Sequence, residues 1–501
     1  MPRTVKVAVI GAGLAGLTAA RLLKQQCEGN KVKFEVHLFE KSPTIGMDSS
    51  SISLGNANLK QDWRIDVPMR SFQGGYYKNL IAFYRRLGVK FRQADFSYSF
   101  SSLSSPESRN RAVTTTMIYN GGSGRSGVSK PSVLGGGLTE KKGTAAYFLQ
   151  KLRISALFIC LTAQLVLCYI ITLYYAIPFW RPADIPNMKF RDWTVRATPN
   201  SLFFRMLGME TAWREYVQMV LIPLLSAICT SPEEDVLEYP VEEILDYVWL
   251  TFGTHHYVVV DGVRNVITRL VEDIDHLHLA SPITSLHTDS HDVGCITISC
   301  LYDGEVANFG GFQHIVLATQ ASSAVPLLTH YLKSLPPELQ DLKGAVERQI
   351  QCLKTFEYRL SIVINHTDET LLPANSKDVR DLNLISMPIH CLCVSPSYTM
   401  ATHILPTPKG YPPSQPTVFQ TTNPIIPPHK DSLLSVAALE RAVVTLQSKS
   451  ALKFLCVEDK KAWWECPYES QTRLGELAGA RNVVEQGILK REGVHWIRGP
   501  W

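Results

Sequence analysis

Six residues near the amino terminus have the types and spacing to handle a phosphate. They are Gly11, Ala12, Gly13, Leu14, Ala15 and Gly16, followed after about two dozen residues by Glu40 and Lys41. A glycine at 11 allows a tight turn, and one at 13 removes a side chain where a pyrophosphate has to approach. The glycine at 16 lets a helix lie close against a strand. A helix that starts in this run offers unpaired N–H groups and a partial positive charge to the phosphates. The Glu40 carboxylate can accept hydrogen bonds from ribose hydroxyls. A bare GxGxxG is a weak signal, and its value here comes from its flanks.

Those flanks predict the elements that must hold the site. Val5–Ile10 is a short apolar strand running directly into the glycines. Leu17 to Lys24 carries helix formers with apolar spacing, and Phe34–Phe39 alternates like a second strand that Glu40 ends. A further helix is predicted from Gly75 to Leu87, closed by Gly88. With the first strand beginning near Val5, no signal peptide is expected before it.

Beyond this unit the composition changes. Residues 101–145 are rich in Ser, Gly, Thr and Lys, with only Thr116–Tyr119 strand-like, and read as a solvent loop. Ile154 to Trp180 contains no charged residue and is framed by Lys151, Arg153 and Arg181, with Tyr174, Tyr175, Phe179 and Trp180 at its end. At about 1.5 Å per residue it is long enough for a hydrocarbon core of roughly 30 Å, and its flanks suit an interface. Phe190 to Leu250 reads as helical. Strands are expected at 257–260, paired strands around 277–286, 295–301 and 314–318, irregular chain from Pro406 to Pro428, and a helix from Ser432 to Leu446.

The whole chain of 501 residues is too long for one core, and 45% hydrophobic with 19% charged residues describes a globular protein with an apolar addition. A net charge of +5 without basic runs argues against a nucleic-acid partner. Eleven cysteines show neither a disulfide framework nor zinc spacing, Cys391 and Cys393 being the closest pair. A reducing, cytosol-facing compartment with membrane association follows as the expected location.

The opening stretches Val7–Ala20 and Leu38–Gly46 resemble the flavin-containing amine oxidase and phytoene desaturase superfamily. Asp261–Leu270, Leu279–Leu286 and Ile315–Gln320 are similar to later motifs of that family. Val236–Pro240 and Ile364–Asp368 look like a subgroup that includes the flavoprotein portion of some cyclopropane fatty-acid synthases. The resemblance runs over most of the chain and is specific at the first motif. It implies FAD as cofactor and adds Gly46 and the backbone of Ile283 to the binding residues. The family has a Gly-Gly pair after the ribose-binding Glu, whereas Gly46 is followed here by Met47. It also implies a carboxyl-terminal strand, turn and helix facing the flavin. Here a helix over 480–486 is followed by His495–Trp501, which resembles only the start of that strand. Lys354, Tyr358, Trp463 and Trp464 have chemistry suited to a flavin face, and His255-His256 reads as a strand-end pair. No catalytic side chain is assigned.

The expected fold is α/β. A three-layer Rossmann-type FAD/NAD(P)-binding domain with a parallel sheet joins an α+β substrate domain and an apolar membrane-anchor helix. The divisions are 1–100 and 251–330 for the nucleotide domain, 101–145 loop, 150–185 anchor, 186–250 helical, 331–470 substrate domain, and 471–501 a carboxyl-terminal part. The function expected is an FAD-dependent oxidoreductase of amine-oxidase type acting on a small or lipid-like substrate. Two alternatives stay open: a membrane-associated protein of the same fold without turnover, and an NAD(P)-linked dehydrogenase.

Overall fold

A computed structural model describes residues 3–25, 32–55, 63–68, 71–103, 113–136, 144–290, 292, 294–302, 304–387, 397–408, 410–411, 415–458, 472–478 and 494–496. The expectations for Cys391, Cys393, Trp463, Trp464 and the helix over 480–486 lie outside these residues.

The apolar opening segment becomes strand β1 (Arg3–Ile10), buried from Val7 to Ile10. Helix α1 (Leu14–Gln25) starts three residues after Gly11 and buries Gly16, Leu17, Ala19 and Ala20 on the sheet. Strand β2 (Val32–Phe39) then lies parallel to β1 over eight residue pairs. The remaining strands of this sheet come from far along the chain. β3 (His276–His278) pairs parallel with β2. An antiparallel meander of β4 (Ile283–Thr288), β5 (Ile296–Tyr302) and β6 (Glu305–Phe312) follows, leading into β7 (His314–Leu317). β7 is parallel to β1, and β8 (Val494–Trp496) is parallel to β7, so the order is β3-β2-β1-β7-β8. An all-parallel sheet needs crossovers of a dozen residues or more, and its carboxyl edge collects the turns where ligands bind.

A second, eight-stranded sheet is mixed, and its strands come from 98–129 and 357–443. Three sequence expectations fail in this sheet. The loop expected over 101–145 instead contains Val113–Tyr119, a strand that pairs with Tyr98–Leu103. A bulge at Phe100/Ser101 lets Thr115 and Ile118, three residues apart, both be buried, which breaks the alternation a strand normally shows. The glycine-rich run after it is a turn: Gly121, Gly122, Gly124 and Gly127 all have positive φ and return the chain to Val128–Ser129. Leu433–Val443, expected as part of a helix, is an eleven-residue strand on Glu357–His366. Its spaced leucines and alanines suit either element, and pairing with a neighbour decided the outcome. Phe419–Thr422, inside the proline-rich stretch expected to be irregular, is a buried strand between two others.

The segment 277–286, expected as one of a set of paired strands, is divided between two sheets, β3 in the parallel one and β4 in the meander. The helix after Gly75 spans Lys78–Arg86, and Gly88 closes it at φ +69°.

The apolar segment is helix α2 (Ala145–Ala176), 32 residues long, capped by the Thr144 side chain. It begins inside the stretch read as loop and ends before Pro178. Its carboxyl-terminal part packs by Cys168 and Ala176 into a core containing Trp193 and Trp213. Arg181 holds this end, donating to the Ala176 carbonyl at 2.5 Å and to Asp246 at 2.6 Å. Leu165, Ile171, Leu173 and Tyr175 pack against the same core, whereas Phe148, Leu149, Leu152 and Ile159 nearer its start are exposed.

Candidate functional site

The three motif glycines are needed for different reasons. Gly11 has φ +102°, and a Cβ there would stand 2.7 Å from the Ala318 carbonyl oxygen at the end of β7. A Cβ on Gly16 would run into the Gly11 carbonyl. Both are required by the way β1, α1 and β7 pack, with or without a ligand. Gly13 differs: a Cβ there would meet nothing within 4 Å. The protein itself leaves that position open, at the start of α1, where the helix's first N–H groups have no acceptor within the helix.

Glu40 ends β2 and is buried. Its backbone links three strands' ends, donating to the His278 carbonyl and accepting from the Ser281 N–H. Its carboxylate accepts from the Ala12 N–H at 2.9 Å and from the Ser42 N–H at 3.0 Å, one bond to each oxygen. A carboxylate has about four lone-pair directions, so acceptor capacity remains for hydroxyl groups. Thus Ala12 and Glu40, 28 residues apart, are brought into direct contact. Gly46 completes this corner, since a Cβ there would stand 2.5 Å from Glu40 Oε2. Met47 is buried in the core under α1 and donates its N–H to the Ala12 carbonyl. The departure from Gly-Gly is thus absorbed by packing. Lys41 is exposed.

Ile283 is half-buried at the start of β4, two residues beyond the Ser281 that binds Glu40. Leu14 and Ala15 form the first turn of α1. Sequence reasoning missed Ala318, Ser281 and His278, whose backbones shape the same corner. Ser281 and Ala318 fall within the Leu279–Leu286 and Ile315–Gln320 motifs, but the part that they and His278 play here is set by hydrogen bonds across more than 200 residues.

Of the candidates for a flavin face, Lys354 and Tyr358 are among the described residues. Lys354 is exposed at the end of the helix Gln340–Leu353. Tyr358 uses its hydroxyl to accept from the Ala321 N–H at 2.7 Å, and burial raises its pKa. His255 precedes the strand His256–Val259, as a strand-end residue should, and pairs with Asp95 at 2.6 Å.

Residues 9–87 match the family model described as an NAD(P)-binding Rossmann-like domain. No curated protein matches the chain. Among solved structures, a Rab GDI from Plasmodium falciparum is similar over 88% of this chain and 90% of its own, at 11% identity and a TM-score of 0.43. The opening of the chain is therefore a Rossmann-like dinucleotide-binding domain of the kind found in flavin-dependent oxidoreductases.

Proposed function

We propose that the protein binds FAD and is an oxidoreductase of amine-oxidase type acting on a small or lipid-like substrate, held against a membrane by α2. The observation that carries the cofactor reading is the open space at Gly13. Gly11 and Gly16 are explained by packing alone, but a glycine with empty space above it, at a helix amino terminus, fits an approaching diphosphate.

Bound there, a flavin would supply the capacity to take a hydride from a C–N or C–H bond. The chain's own residues do the rest. The α1 amino terminus places N–H dipoles against the phosphate charge. Glu40, held by Ala12 and Ser42, orients the ribose by accepting from its hydroxyls. Gly46 leaves room for that carboxylate, and the backbone at Ile283, by the resemblance to the family's adenine-holding strand, would hold the adenine.

The membrane part rests on the exposed apolar surface of α2. Phe148, Leu149, Leu152 and Ile159 are each more than 60% exposed, as are Leu202, Phe203 and Met206 on the short helix Leu202–Met206. Gln164 of α2 donates to the Leu207 carbonyl at 3.0 Å, tying the two together. A helix lying in one leaflet buries such a surface without separating the chain on its two sides.

The test is the purified protein's flavin content. Wild type is expected to be yellow and to release FAD on denaturation. Gly13→Val is expected to fold, by circular dichroism and thermal midpoint, and to be colourless. A folded Gly13→Val protein with undiminished flavin would refute the site, and a colourless wild type that takes up no added FAD would refute the cofactor.

A further inference from the structure

On the β2 and β3 edge of the parallel sheet, four ligand-type side chains share one face. Glu35, His37 and Phe39 alternate along β2, and His276 and His278 along β3, with His276 opposite His37 and His278 opposite Phe39. His37 Nε2 lies 3.1 Å from Glu35 Oε1, and His276 Nε2 lies 3.6 Å from the same oxygen. His37 Nδ1 is 3.0 Å from His278 Nε2. One side of the group is walled by rings: Phe39 stacks on His278 at 4.4 Å, and Phe309 and Phe312 meet His278 and His37 edge-on. The other side, at Glu35 and His276, is open to solvent.

We propose that Glu35, His37 and His276 form a binding site for a divalent transition metal of the zinc class, with His278 as the positioning residue behind His37. Metal bonds of about 2.0–2.1 Å in tetrahedral geometry set ligand atoms about 3.3 Å apart. Two of the three edges, at 3.1 and 3.6 Å, match that spacing as they stand. The ligand atoms are no more than 4.8 Å apart in any pair, and the third edge closes by rotation of the exposed His276 ring, which now stacks on His37 at 4.1 Å. The fourth position faces solvent and takes water.

Without metal, His37 Nε2–H donates to Glu35. With metal on Nε2, the proton sits on Nδ1 and donates to His278 Nε2, the support that metal-bound imidazoles usually have. Both imidazoles change tautomer without net proton release. The Lys6 ammonium faces the group from β1 and is turned aside onto the Gly310 carbonyl at 3.0 Å, over the Phe312 ring. A bound ion would tie the edge strand β3, which carries the His278 carbonyl that receives the Glu40 N–H, to β2.

The experiment titrates Co2+ into chelator-treated full-length protein, with Zn2+ competition and a thermal-shift series. Wild type is expected to bind one equivalent with the visible absorption of low-coordinate Co2+, and Zn2+ is expected to displace it and raise the thermal midpoint. Glu35→Gln with His276→Ala, at a half-buried and an exposed position, is expected to weaken binding at least about a hundredfold and abolish the thermal shift. His278→Phe keeps the ring stack and is expected to weaken binding about 10–100-fold and alter the Co2+ spectrum. His330→Ala, an exposed histidine elsewhere, and Gly13→Val are expected to bind as wild type, which separates this site from the nucleotide reading. Wild-type affinity no greater than that of the double variant, or an equal loss in His330→Ala, overturns the proposal.

Discussion

Gly13 and Gly16 are three residues apart in one motif, yet substitution separates them. Gly16→Ala puts a methyl group into the Gly11 carbonyl, and the backbone of β1 or α1 has to move. It is expected to cost about 3 kcal/mol or more, read as a lowered urea midpoint at unchanged slope. Gly13→Ala enters open space and is expected to change stability by no more than about 0.5 kcal/mol. An equal loss in both would mean that α1 packs differently at its start. Another single group sets a pH dependence. His403 is buried in the eight-stranded sheet, its Nδ1 makes no hydrogen bond among the described residues, and burial depresses its pKa from 6.5 to about 4. Between those values the unfolded chain binds the proton and the folded one does not, so stability falls as pH drops from 6.5 to 4. The loss amounts to roughly 3 kcal/mol. His403→Gln is expected to flatten that part of the stability–pH curve, and an unchanged slope would remove His403 as its source.

At the scale of elements, the strand Val113–Tyr119 is the sharpest departure from expectation. Its polar run Val-Thr-Thr-Thr and its bulge conceal a segment whose Ile118 is 1% exposed. Were 113–119 a solvent loop, Ile118→Ala would cost almost nothing. As a sheet strand it is expected to cost about 3 kcal/mol, measured by chemical denaturation. Here the polar threonines are satisfied by partners that no local pattern shows, Thr115 by Ser101 at 3.0 Å and Thr116 by the Phe100 carbonyl at 3.2 Å. Leu433–Val443 makes the complementary point, because a pattern that suits a helix is paired antiparallel, backbone to backbone, with Glu357–His366.

For the whole molecule, the order of strands constrains topology. β1 and β2 precede α2, whereas β3 and β7 follow it, and all four belong to one sheet. A single crossing of a bilayer by α2 would place halves of that sheet on opposite sides, which their hydrogen bonds forbid. If α2 enters a membrane, it does so from one side. Tags placed in the turns at Gly124 and Gly253 are therefore expected on the same, cytosolic, side of vesicles, with the protein retained after carbonate extraction. Replacing Leu149, Leu152 and Ile159 by glutamate is expected to release it without unfolding, since all three are exposed. Tags on opposite sides would contradict the shared sheet, and release of the wild type would remove the membrane reading.

The amino-acid sequence by itself determined the nucleotide corner: the first strand, the glycine turn, the helix and Glu40 are contiguous and obey short-range rules of backbone freedom and apolar spacing. It also determined that the apolar run from Ile154 is helical, although not its bounds, because such a run satisfies its own backbone hydrogen bonds whatever surrounds it. Tertiary structure decided what presses Gly11, since Ala318 is brought back to it from 300 positions away, whereas Gly16 is pressed by the nearby Gly11 carbonyl. It alone turned 113–119 and 433–443 into strands, since a strand's hydrogen bonds are made with another segment and cannot be read from its own residues. The same physics gathers Glu35, His37, His276 and His278, whose shared face exists only because β3 pairs in register with β2 across more than 200 residues.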